Sequence, residues 1–66
     1  MTIWNIDCAL RPRQKVEVRD IRGQTLFTGI ETELQDKCIS DPEFSKRKVL
    51  TVYIEKDVIV VEVKRL

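Results

Sequence analysis

The side chains in this chain that could do chemistry are Cys8, Cys38, Ser40, Ser45, eleven carboxylates and twelve basic groups, and there is no histidine. Nucleophilic catalysis needs a serine or thiol beside an activating base. Without imidazole, Ser40 and Ser45 have no evident activator, and neither thiol has the usual partner that would depress its pKa. Two cysteines without histidine also fall short of a zinc site, which wants four ligands. No glycine-rich phosphate loop is present. The carboxylates sit at polar strand positions, turns and caps. The residues therefore predict no catalytic group, no metal and no cofactor, and a chain that is not an enzyme. Both cysteines read as small buried hydrophobes, reduced in a cytosol. A Cys8–Cys38 disulfide stays open as the alternative.

The basic groups carry the second kind of chemistry. Lys46, Arg47 and Lys48 form one run and Lys64 and Arg65 another, with no acid in either. If the C-terminal segment folds back on itself, the two runs meet at its open end. Arg11, Arg13 and Lys15 are expected to share that end. Such a cluster suits phosphates, with salt-sensitive binding. Aromatics for base stacking are few: Trp4, Phe27, Phe44 and Tyr53, of which Tyr53 is the candidate for exposure. Solubility and protection of a sheet edge by lysine explain the same residues. The acidic stretch Glu31, Glu33, Asp36, Asp41 and Glu43 reads as helix N-terminal charge, or as a surface for a basic partner.

Positioning these groups falls to a β-rich framework. Leu50, Val52 and Ile54 alternate with polar neighbours, and Ile59, Val61 and Val63 repeat the pattern after Glu55-Lys56-Asp57. A two-residue turn at Lys56-Asp57 pairs Ile54 with Ile59, Val52 with Val61 and Leu50 with Val63, which makes one face apolar throughout. The other face carries Val49, Tyr53, Val58 and Val60 among Thr51, Glu55, Glu62 and Lys64. Aliphatics there imply a cover, from the Trp4 segment, the Leu34 helix or another subunit. These four residues are the candidate interaction face.

Upstream, Lys15–Glu31 reads as a first hairpin. Asp20 opens a type I turn and Gly23 takes the left-handed position. That register sets Val18 opposite Leu26 and Val16 opposite Thr28. Gly29 marks a bulge or the close approach of another backbone. Thr32 with Gln35 fits a capping box for a helix of one or two turns that puts Leu34 and Cys38 on one face. Asp41-Pro42 starts a second turn, with Phe44 plugging the core edge. Residues 2–10 are either a strand (Trp4, Ile6, Cys8 and Leu10 alternating) or a short helix capped by Thr2, with Ile3, Ile6 and Leu10 on one face.

Sixty-six residues with a net charge of +1 make one domain, 1–66, with a small core and no overall charge argument for nucleic acid. No apolar run approaches the ~18 residues a membrane span needs. The pattern V-x-V-x-D followed by G-x-x-L-F-x-G over Val16–Gly29, then a short polar helix and a valine-rich closing hairpin, resembles small uncharacterised proteins of phages and integrated elements of Gram-positive bacteria. The chain departs from that pattern in its basic residues at Lys46–Lys48. The resemblance implies a bacterial cytoplasmic or phage-accessory setting and carries over no catalytic residue.

The expected fold is α+β: a small antiparallel sheet of two hairpins, four strands or five, with one or two short helices. A small SH3-like barrel is the alternative. The expected function is a non-catalytic protein-interaction module that self-associates, in the cytoplasm. A nucleic-acid-binding module using the basic hairpin end is the second reading, and neither a membrane nor a small-molecule substrate is implied.

Overall fold

The computed structural model describes residues 1–64. Its elements are α1 (Ile3–Ala9), β1 (Lys15–Asp20), β2 (Thr25–Ile30), α2 (Glu31–Ser40), α3 (Pro42–Ser45), β3 (Val49–Glu55) and β4 (Val58–Val63). Together they form the expected α+β fold. The four strands make one sheet in the order β2-β1-β4-β3.

Both hairpins form where turn chemistry demands. At the first, Gly23 has φ +82°, its N–H donates to the Asp20 carbonyl at 2.9 Å, and Asp20 Oδ1 accepts from the N–H groups of Arg22 and Gln24. The carboxylate thus satisfies the turn's backbone donors. At the second, Lys56 and Asp57 both take positive φ, 49° and 66°, as a two-residue type I′ turn requires. Two registers differ from expectation. Val18 faces Phe27 and Val16 faces Gly29, because the β1–β2 ladder slips at Val18/Arg19. In β3 an irregularity between Val49 and Thr51 puts Val49, not Leu50, opposite Val63. Ile54–Ile59 and Val52–Val61 pair as expected.

The sheet is not wholly antiparallel. β1 and β4 run parallel at its centre, with Val16 beside Ile59 and Val18 beside Val61. Crossing over by α2 and α3 causes this: α2 starts at the Ile30 end and delivers the chain to the far end, where β3 begins. With β2 and β3 left as unpaired edges, no barrel closes. Residues 3–9 are helix, and among the described residues the strand-like pairing upstream is a single bridge from Thr2 to Lys48. Asn5 Oδ1 accepts from the Thr2 N–H at 2.9 Å and from its hydroxyl at 3.1 Å, which fixes the start of α1.

α2 begins at Glu31, one residue before the predicted cap Thr32, and runs to Ser40. Glu33 Oε1 accepts from the Ile30 N–H at 3.1 Å. A Cβ on Gly29 would sit 2.9 Å from that same oxygen, so it is this side chain, rather than a second backbone, that needs the glycine. Asp41 caps α3 by accepting from the Phe44 N–H, with Pro42 at the first helical position. Val16, Val18, Val61 and Val63 from the sheet pack under Ile3, Leu34, Cys38 and Phe44 from the helices. Burying Leu34 completely contributes about 2 kcal/mol in transfer free energy.

Candidate functional site

The helix side of the sheet is only partly roofed. Val61 and Val63 on β4 are fully buried. Val52 and Ile54 lie on that same side, opposite Val61 and Ile59, and yet are 44% and 75% exposed; Leu50, displaced by the irregularity, is 50% exposed. α2 packs over β2 and β1 and leaves β3 in the open. β3 is also an edge strand. Among the described residues its outer rim is occupied at one end only: the Val49 N–H donates to the Met1 carbonyl at 2.8 Å, and the Ile3 N–H to the Arg47 carbonyl at 3.2 Å. The Met1–Ile3 strap thus covers the first residues of the rim, and Leu50–Glu55 carry the free part.

The predicted interaction face, Val49, Tyr53, Val58 and Val60, does not stay together. Val49 turns to the helix side and packs against the core. Val60 is 1% exposed, and its strand neighbours Glu17 and Tyr53 belong to a charged cluster of the chain's own. Arg19 donates through Nε to Glu17 and through Nη1 to Tyr53 Oη at 3.3 Å, and Glu55 lies 4.0 Å from the same guanidinium. Glu17, opposite Val60, also accepts from Thr25. The Arg19 hydrogen bond holds the Glu17 carboxyl below its ordinary range. Tyr53 and Val58 are half-buried.

The basic cluster is smaller than predicted. Lys64 donates its backbone N–H to the Lys48 carbonyl at 2.9 Å, so the exposed Lys46, Lys48 and Lys64 do share one end. Arg65 lies outside the described residues. Arg47 is partly buried, with an unpartnered Nε, and lines a shallow cavity of about 190 Å³ with Leu26, Lys37, Asp41, Glu43 and Phe44. Arg11, Arg13 and Lys15 are at the other end of the sheet. The parallel β1–β4 contact sends them there, and Gln14 Nε2 accordingly donates to the Asp57 carbonyl in the β3–β4 turn.

The acidic stretch divides into local tasks. Glu33 and Asp41 cap helices, and Asp41 is held below its ordinary carboxyl range by the Phe44 N–H first and by Lys37, 3.4 Å away, second. Glu31 is buried, and it meets a group that the sequence reading passed over: Asp7 of α1, 3% exposed. Burial first, and then the neighbouring Glu31 carboxyl, raise the Asp7 carboxyl from 3.8 to about 7. The apolar spacing of α1 puts Asp7 one turn after Ile3 on its inner face, and that was the available signal. Both cysteines are free thiols. Cys38 is buried as expected, but Cys8 is exposed, on the outer side of α1.

Among the described residues no group of three or more His, Cys, Asp or Glu is arranged to hold a metal ion, and no helix is long and apolar enough to cross a membrane. No protein-family model matches the chain, and neither the curated proteins nor the solved structures include a match to it.

Proposed function

We propose that this chain is a non-catalytic protein-interaction module that self-associates through the free edge of β3. The single observation that carries this reading is the run Leu50, Val52 and Ile54, aliphatic and exposed on an unpaired edge strand. Exposed flat edges are templates for pairing, and large apolar residues on them favour a partner. A second copy is the occupant the charges favour. Lys46, Arg47 and Lys48 precede β3, while Glu55 at its end and Lys56 and Asp57 after it are net negative. Antiparallel pairing of two β3 strands sets the basic end of each beside the acidic end of the other. Centring the pair on Val52 matches Leu50 with Ile54 and brings Arg47 near Asp57. It also uses only the stretch that the Met1–Ile3 strap leaves open.

The resemblance drawn from the Val16–Gly29 pattern supports a phage or mobile-element accessory role in a bacterial cytoplasm. Sedimentation velocity over a dilution series tests the association. The chain is expected to dimerise, and Ile54→Lys and Val52→Lys are expected to leave it folded and monomeric. A wild-type monomer throughout the series sinks the reading. Nucleic-acid binding by Lys46, Lys48 and Lys64 is the second reading, favoured only by the Lys48–Lys64 adjacency. It expects binding that weakens steeply with salt and is lost in Lys48→Glu.

A further inference from the structure

We propose that Asp7 and Glu31 form a proton-dependent latch that holds α1 on α2 and thereby keeps the Met1–Ile3 strap on the rim of β3. Two carboxyl side chains from packed, different helices are buried, and Asp7 Oδ1 has no hydrogen-bond partner. An ionised carboxylate buried without a partner is costly, so α1 packs on α2 most readily while Asp7 holds a proton. α1 carries the strap directly: Ile3, its first residue, is fully buried and donates to Arg47, and Met1 accepts from Val49. Anything that lifts α1 from α2 pulls on the same three residues that cover the β3 rim.

The surroundings offer the pair little compensation. From α2, Cys38 faces the same corner. Burial first, then the charges of Asp7, Cys8 and Asp41, pushes its thiol up to about 11, so it stays neutral through the neutral range. Cys8 on α1 and Asp41 at the start of α3 add no positive charge. The loop joining α1 to β1 packs on the start of α2 through its backbone: Glu31 and Thr32 donate to the carbonyls of Gln14 and Pro12. Its cations Arg11 and Arg13, and Lys15 beside them, are exposed, and among the described residues no ion pair joins them to Asp7 or Glu31.

The direction of the pH effect follows from which state holds the proton. Asp7 in the closed latch titrates at about 7, against 3.8 for the same group in water, so the closed state keeps a proton that the opened state gives up. The latch is therefore tightest at acid pH, weakens as pH rises between those two values, and changes little above the upper one. With no histidine in the chain, this carboxyl is the side chain placed to titrate near neutrality.

This inference rests on the self-association reading only for its consequence, a longer free β3 edge at higher pH; the latch itself is internal to one chain and is tested there. Amide hydrogen exchange, expressed as protection factors, reads the N–H groups of Ile3 and Val49. Protection is expected to fall roughly tenfold per pH unit from about pH 5 to about pH 6.5, then level off above about pH 7. Asp7→Asn, neutral at any pH, is expected to abolish the dependence, and Glu31→Gln serves if Asp7→Asn does not fold. Protection of Val49 that is equal at both ends of this range, or a fall that survives in these variants, overturns the latch. So does an NMR titration of the wild-type Asp7 carboxyl with an ordinary midpoint. A monomer that shows the expected protection profile would remove the association reading and leave the latch standing.

Discussion

β2 and β3 are the two edges of one sheet, and both present apolar residues to the helix side. Their fates differ. Phe27 of β2 lies beneath the helices, its ring 6.5 Å from that of Phe44, and Leu26 packs against the same core. Val52 and Ile54 of β3 have no helix above them. Alternation specifies a face, but the reach of the covering layer decides whether that face is buried. α2 has ten residues and α3 four, and α2 sits over the β2–β1 half, so the β3 edge is left without a roof.

Removing one side chain from each half of the sheet separates the two edges most strongly. Leu34→Ala takes a fully buried residue from under α2 and is expected to destabilise the fold by about 3–4 kcal/mol, large for a domain this small. Ile54→Ala, equally aliphatic, is expected to change monomer stability by no more than about 0.5 kcal/mol, because its side chain is already in water. Urea denaturation at a dilution that keeps the chain monomeric measures both. A large loss in Ile54→Ala would mean that β3 is covered after all.

The two hairpin turns give a smaller, opposite contrast. The first turn places glycine where φ is positive, whereas the second asks Lys56 and Asp57 to adopt that conformation. Left-handed backbone costs a non-glycine residue roughly 1–2 kcal/mol. Replacing the pair by Asn-Gly is expected to raise stability by about 1 kcal/mol, and Gly23→Ala to lower it by a similar amount. Thermal melts of the two variants should therefore move in opposite directions, and a loss in the Asn-Gly variant would contradict the turn assignment.

These elements also mark what could be read from the chain itself. Turn and cap chemistry acts within four residues, so Asp20 with Gly23, Lys56-Asp57, Asp41-Pro42 and the Leu34/Cys38 face were all legible. The parallel β1–β4 contact was not, because it depends on a crossover between segments some forty residues apart. It moved Arg11, Arg13 and Lys15 away from Lys48 and Lys64. The slip after Val49 was equally silent: one residue of irregularity sends Val49 to the core and Leu50 into solvent, and it dismantles the predicted face. Tyr53, Val58 and Val60 looked uncovered because nothing local says that Arg19, from the other hairpin, bonds Glu17 and reaches Tyr53 on that face. Asp7 and Glu31 read as ordinary polar positions because nothing local says that two acids from different helices will meet.

The two cysteines carry the contrast between covered and uncovered parts down to single atoms. Cys38 lies on the buried face of α2 against the core, and its thiol is raised to about 11, so at neutral pH its reactive thiolate is scarce as well as enclosed. Cys8 sits on the exposed side of α1, where reagent reaches it directly. A disulfide-exchange reagent at neutral pH is expected to modify one thiol per chain at once and the second only as the chain unfolds, with mass spectrometry assigning the fast site to Cys8. Because the first modification meets no core side chain, it should leave the denaturation midpoint nearly unmoved. Fast reaction at Cys38 in the folded chain would mean that α2 lifts from the sheet readily, and the contrast between a roofed β2 half and an open β3 half would then be one of degree.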